Sequence, residues 1–276
     1  MAQLTKVGTT PLQKNNPLAT LGWNFSDTLV VMRRNLTYIV RQPELLVFST
    51  IQPVMFLLLF TFVFGGAITG STGEGSYINY LLPGVLTQSI VFAATQTTVG
   101  LANDLSKGMI DRFRSLPMAR GAVLGGRTLS DALRGLITIS IMVVFGLLVG
   151  FRFQNGIIAG IGGMLLAVAF GYAFTWIAAL IAMFVRDPET AQVAGFIWVF
   201  PLVFASSIFV PTETMPTWLR LFAENQPISV IANAVRGLMA GEIVALDLFT
   251  ASAWIIGIIA VFMPLAIWQY GQRTAG

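Results

Sequence analysis

The sequence predicts an all-α integral membrane protein with six transmembrane helices, an N-terminal amphipathic interfacial helix, and two short outer helices between spans five and six. Three observations predict it. Of 276 residues, 55% are hydrophobic and only 10% charged, against roughly 25% charged in soluble domains. Six apolar stretches approach or exceed the about 20 residues needed to cross a ~30 Å hydrocarbon core at ~1.5 Å per residue. The basic residues, finally, fall mainly on alternate connections between those stretches.

The opening MAQLTKVGTTPLQKNNPLAT lacks the apolar core and cleavage site of a signal peptide and reads, as residues 1–22, as a disordered cytoplasmic tail. In the following TLVVMRRNLTYIVRQPE, Leu29, Met32, Leu36, Ile39 and Val40 recur at helical spacing, with Arg33, Arg34, Thr37 and Arg41 opposite. That pattern suits a helix lying on the inner membrane surface, with Pro43 marking a break; the other reading is a cytoplasmic extension of span one. The spans run approximately Leu45 to Phe64, Ile78 to Leu101, Leu136 to Phe151, Ile157 to Val185, Ala191 to Val210 and Phe249 to Gln269. The second is polar for a span and the third is short.

Pro53, Pro201 and Pro264 stand inside spans one, five and six, where each removes a backbone hydrogen bond. Span four carries Ala159, Gly163, Ala167 and Gly171 at four-residue intervals, with Gly156 and Gly160 on a neighbouring row. Small residues at this spacing admit close helix approach, either within one subunit or at a dimer seam. Residues 211–242 suggest two amphipathic helices, from Pro216 to about Ala223 and from Pro227 or Ile228 to about Ala240. Both are too short to cross a bilayer and either lie on the outer surface or dip into it. Trp218 fits an interfacial anchor, and Glu224, Asn225 and Arg236 are candidates for an outer gate, with Glu224 and Arg236 as a charge pair.

With the N-terminus inside, the inner segments hold Lys6, Lys14, Arg33, Arg34, Arg41, Lys107, Arg112, Arg114, Arg120, Arg127, Arg134, Arg186 and Arg273, and the outer ones only Arg152, Arg220 and Arg236. This asymmetry predicts both termini in the cytoplasm. The formal charge of +4 then reflects topology, and no nucleic-acid partner is expected. No cysteine or histidine is present, which argues against zinc, haem and Cys/His nucleophile sites. No G-x-x-x-x-G-K-[ST], G-x-S-x-G or H-E-x-x-H occurs; if the protein does work, the energy enters through another chain. No acidic residue falls at the centre of a predicted span, which disfavours an ion-coupled carrier. Mild polarity and aromatic bulk remain: Gln88 and Thr95 at i and i+7 in span two, and Phe196, Phe200 and Phe204 at i, i+4, i+8 in span five. These five residues either line a path for an amphiphile or pack against neighbouring helices and lipid.

The run KGMIDRFRSLPMARGAVLGGR gathers Lys107, Arg112, Arg114, Arg120 and Arg127. A positive-inside anchor needs only charge, whereas this segment also carries Asp111 and an apolar set of Met109, Ile110, Phe113 and Leu116 at helical spacing before Pro117. A short helix with an apolar edge and mixed charge suits a groove in a protein partner, with Phe113 as the buried anchor.

This segment, continued to Leu136, and the outer NQPISVIANAVRGLMAG together resemble the ABC-2 class of ABC-transporter permeases, most nearly the daunorubicin/doxorubicin-resistance group of bacteria. The resemblance implies that residues 23–276 form a permease domain, with a coupling segment at 104–130 and outer helices at 211–242. It implies a second permease copy and two copies of a separate ATPase subunit, which binds ATP and Mg while this chain binds no cofactor. Lys107, Met109, Ile110, Asp111, Arg112, Phe113, Arg114 and Leu116 map onto the coupling helix. Ser106 stands where many members carry an acidic residue. Relatives export drugs, lipids, glycolipids or polysaccharide. The implied function is the transmembrane subunit of an ATP-driven exporter of hydrophobic or amphiphilic substrates in the bacterial inner membrane. An ion-coupled multidrug carrier and a non-transporting membrane scaffold are the competing classes.

Overall fold

The computed structural model describes residues 43–65, 77–107, 120–185 and 187–273. All of its elements are helical. In chain order they are α1 (Pro43–Leu59), continued by a π-helical turn (Phe60–Phe64); α2 (Tyr77–Ser106); α3 (Arg120–Val149); α4 (Gly156–Ala182); and α5 (Pro188–Phe204). A 3-10 turn (Thr212–Thr214) then leads to α6 (Thr217–Asn225), α7 (Pro227–Ala240) and α8 (Ala245–Arg273). The predicted tail, the interfacial helix and the coupling residues 109–116 lie outside the described residues.

Among the described residues four helices, α2, α3 from Leu124, α4 and α8, are long and apolar enough to cross a membrane. α1 and α5 have 17 residues each, about 26 Å at ~1.5 Å per residue. The polarity of span two has a packing explanation. α2 is the central helix, packed on α3, α4, α5 and α7, and buried along most of its length. Several of its hydroxyls donate to backbone carbonyls. Thr87 donates to Pro83 O (3.0 Å), Ser89 to Val85 O (2.7 Å) and Thr98 to Ala178 O on α4 (3.1 Å). A helix surrounded by protein does not need a lipid-facing surface, so its hydropathy is low.

Span three is corrected at its start. α3 begins at Arg120, well before the expected Leu136. No proline interrupts residues 118–149, and the charges at 127, 131 and 134 recur at helical spacing, so they share one face without breaking the helix. They belong to the helix and not to a loop.

The small-residue row of α4 is used inside the subunit. A Cβ on Gly171 would overlap Ile90 of α2, one on Gly163 would lie 2.8 Å from Met239 Cγ of α7, and Ala167 is fully buried. The second of the two short helices, α7, is inserted between α2, α4 and α8, with Ile228, Ile231, Val235 and Met239 inaccessible to solvent. α6 instead leaves Trp218 74% exposed, as an interfacial anchor requires. At the other end, Arg273 donates to the carbonyls of Ala182 and Met183 (3.1 and 2.8 Å). This places the end of α8 beside the end of α4, where a cation complements the helix dipole. Asp187 caps α5 by accepting from Thr190 N at 2.8 Å. The Thr190 backbone and hydroxyl bonds hold its carboxyl below the usual carboxylate range. The cap is therefore present above that range and is lost only as pH falls through the depressed value.

Candidate functional site

α1, α2, α3 and α5 enclose a cavity of about 120 Å³ lined by Gln52, Pro53 and Phe56 of α1, Gln88, Ser89, Phe92, Ala93 and Gln96 of α2, Arg134, Gly135 and Thr138 of α3, and Phe196 of α5. Its wall is mainly apolar, with a few convergent amides, two hydroxyls and one guanidinium. That composition suits a ligand with an apolar body and a polar end. An open groove of Gln192, Val193, Phe196, Ile197 and Phe200 adjoins it along α5, with Phe196 common to both.

Of the five residues expected along a path, Gln88 and Phe196 line the cavity and Phe200 lines the groove. Thr95 does not. At ~100° per residue, Ser89, Phe92, Ala93 and Gln96 extend in one direction around α2 from Gln88, and Thr95 falls just over the opposite edge. There it donates to Phe92 O at 2.7 Å and packs against Gly195 of α5, whose Cβ would lie 3.3 Å from Thr95 Cβ. Phe204 lies beyond both spaces in a file of rings. Phe196 meets Phe92 (5.7 Å between centroids), Phe92 meets Phe200 (6.0 Å), Phe200 meets Phe204 (4.9 Å), Phe204 meets Phe209 (5.7 Å), and Phe209 meets Phe60 of the π-helical turn (4.7 Å). Such offset pairs add about 0.5–1.5 kcal/mol each beyond their burial.

Sequence reasoning missed Arg134, and with it a chain of charges between α2 and α3. Arg127 Nη1 donates to Asp104 Oδ2 at 2.7 Å. Asp131 accepts from Thr97 Oγ1 at 2.8 Å and sits 3.9 Å from Arg127 Nε and 3.5 Å from Arg134 Nη2. The chain runs from the end of α2, where Lys107 is exposed, to the cavity wall. Opposite charges at positions 127, 131 and 134 were the available signal; counting both arginines as loop charge concealed it.

The expected pairing of Glu224 with Arg236 is also corrected. Glu224 accepts from Arg220 Nε (2.6 Å), one turn back, and from Thr212 Oγ1 (3.2 Å). The bond from Arg220 holds the Glu224 carboxyl below the usual carboxylate range. Asn225 donates only to Leu221 O within its own helix. Arg236 turns inward from α7. It donates to Tyr80 O (3.1 Å), Asn233 Oδ1 (2.6 Å) and Ser207 O (3.0 Å), and its guanidinium carbon lies 3.7 Å above the Tyr80 ring. Tyr80 in turn donates to Ser207 O at 2.8 Å. Arg236 therefore fastens α7 to α2 and to the turn after α5. Arg236→Met should cost about 2 kcal/mol from charge-assisted bonds alone, and Arg236→Lys should recover little of it because lysine lacks the planar fork. Thermal unfolding of the two variants in detergent checks this; full recovery by lysine would reduce the site to a simple charge.

The helices and the cavity between four of them describe a helical membrane domain. The chain belongs to the ABC-2 type transporter family, matching it over residues 26–240, and is thus a transmembrane subunit of an ABC transporter. It is 37% identical over 250 residues to the daunorubicin resistance ABC transporter permease protein DrrB1 of Streptomyces coeruleorubidus, covering 91% of this chain and 88% of that one. It is 26% identical over 251 residues to a probable doxorubicin resistance ABC transporter permease protein, DrrC, of Mycobacterium tuberculosis, covering 91% and 89%. A putative transport permease, ycf38, of Cyanophora paradoxa shares 23% identity over 231 residues, covering 82% and 78%.

Proposed function

We propose that the chain is the membrane subunit of an ATP-driven exporter that moves a hydrophobic or amphiphilic molecule, a drug, lipid or glycolipid, out of the cytoplasm or inner leaflet. In this reading α1 and α5 complete six spans, both termini are cytoplasmic, and the membrane is the bacterial inner membrane. A second permease copy completes the path, and two copies of a separate ATPase subunit bind ATP and Mg. The carrying observation is the cavity at Gln88, Phe92, Arg134 and Phe196, which combines an apolar wall with a polar end. An ion-coupled carrier is less well supported, because Asp131, the acid nearest the cavity along α3, is already engaged by Thr97, Arg127 and Arg134.

The test addresses the coupling of chain to ATPase. Phe113→Ala removes the apolar anchor of the segment between α2 and α3, and Arg120→Ala removes a charge at the start of α3. Phe113→Ala is expected to weaken co-purification of the proposed ATPase subunit by about tenfold or more, as loss of an interface hot spot does, and to lower transport-coupled ATP hydrolysis. Arg120→Ala should stay within about twofold by the same scale. Equal effects, or full assembly and coupling with Phe113→Ala, would leave the basic run as a topology anchor only.

A further inference from the structure

We propose that the cavity receives the head of an anionic amphiphile, its phosphate, sulfate or carboxylate on Arg134 and an adjacent hydroxyl or amide N–H on Gln88. The proposal rests on the reading of the cavity as a substrate path and names the substrate class.

Charge is the first ground. Among the described residues lining the cavity, Arg134 is the only ionised one. Its contact with Asp131 is 3.5 Å through one nitrogen, longer than the ~2.7–2.9 Å of a charge-assisted hydrogen bond. Asp131 makes its short bond to Thr97 instead, at 2.8 Å. A guanidinium has five N–H donors in a planar fork that matches an oxyanion, so Arg134 retains donors for one. A cationic head would meet a like charge on the wall, offset only in part by Asp131, which pairs with Arg134 at 3.5 Å and does not itself line the cavity.

The second ground is independent. Gln88 lines the cavity but is only 3% exposed, and its Oε1 is turned away from accessible space without a hydrogen-bond partner among the described residues. A buried amide oxygen left unpaired is unfavourable, and rotation of the amide toward the cavity would let a donor on the ligand relieve it. Size supplies the third ground. About 120 Å³ is well below the ~300–1,000 Å³ of pockets that enclose a drug-sized ligand, so a head fits and a tail does not. The tail leaves past Phe196 into the groove of Val193, Ile197 and Phe200.

The test uses the purified full chain in neutral maltoside micelles and three dansyl probes of equal length: undecanoic acid, its 2-hydroxy derivative, and undecyl trimethylammonium. The acid should bind at least tenfold tighter than the ammonium probe. Arg134→Gln should abolish that preference while changing the ammonium affinity less than threefold, and Arg134→Lys, which keeps the charge beside Asp131, should retain most of it. The 2-hydroxy acid should bind about fivefold tighter than the plain acid, the scale of one added hydrogen bond, and Gln88→Leu should erase that gain alone. Equal affinity for acid and ammonium probes overturns the proposal and leaves the path reading standing. A preference that survives Arg134→Gln also overturns it. Saturable binding of none of the probes overturns both.

Discussion

Gly84→Leu is expected to abolish recovery of folded protein, and Gly84→Ala to lower stability by about 1–3 kcal/mol through overpacking. A Cβ on Gly84 would lie 2.6 Å from Ile208 O and 3.0 Å from Ile208 Cα. Both are backbone atoms and cannot swing aside as a side chain can. The turn that carries them is held on several sides. Tyr77 donates to Phe209 O (2.9 Å), Tyr80 to Ser207 O (2.8 Å), and Ser207 N donates to Ser229 Oγ (3.0 Å). Gly162→Ala in α4 is the matched control. Nothing lies within 4 Å of its Cβ position, and alanine in a helix is favoured over glycine by up to about 1 kcal/mol. Thermal unfolding in detergent separates the two, and equal midpoints for Gly84→Ala and Gly162→Ala would mean that the Ile208 turn yields.

Arg127→Met should cost about 1–3 kcal/mol. Removing one partner of a fully buried ion pair costs ~3–5 kcal/mol; here the side chains of Arg127 and Asp104 are 23% and 25% exposed, so solvent screening reduces the figure. The guanidinium reaches Asp104 by lying across Gly100, where a Cβ would come 2.7 Å from Arg127 Cζ. Gly100→Ala therefore displaces the arginine without removing any charge. Its cost and that of Arg127→Met should be strongly non-additive, the double variant being scarcely less stable than Arg127→Met alone. Additive losses in chemical unfolding would show that Gly100 and Arg127 act on separate contacts.

The helical membrane class and the pair of short helices were legible in the sequence because they rest on run length, proline and local amphipathicity. α6 and α7 fall close to their expected bounds for that reason. What failed was inference across helices. The start of α3 was misplaced because charges at 127, 131 and 134 were read as loop polarity, although Thr97 and Asp104 on α2 satisfy them. Glu224 and Arg236 were paired because both are outer charges, yet Arg220 stands one turn from Glu224 on the same helix, and short-range partners prevail when both are available. Of the twelve residues lining the cavity, only Gln88 and Phe196 were singled out from the sequence. The α1 and α3 walls were not, since neither Gln52 nor Thr138 carries a periodic signal that separates a lining residue from a packed one.

On the proposed path, the half-exposed rings of Phe200 and Phe204, stacked at 4.9 Å, have a kinetic meaning. Stacked phenylalanines offer a hydrocarbon chain nearly the same contact at every step and no directional bond to break. A tail shifted by one ring trades one face for the next at almost constant free energy. Such a surface works as a rail and not as a trap. Residence time would then be set at the polar end, where Gln88 and Arg134 stand. A transporter built in this way would release its cargo by altering one small polar contact, with no need to prise apart a long apolar one.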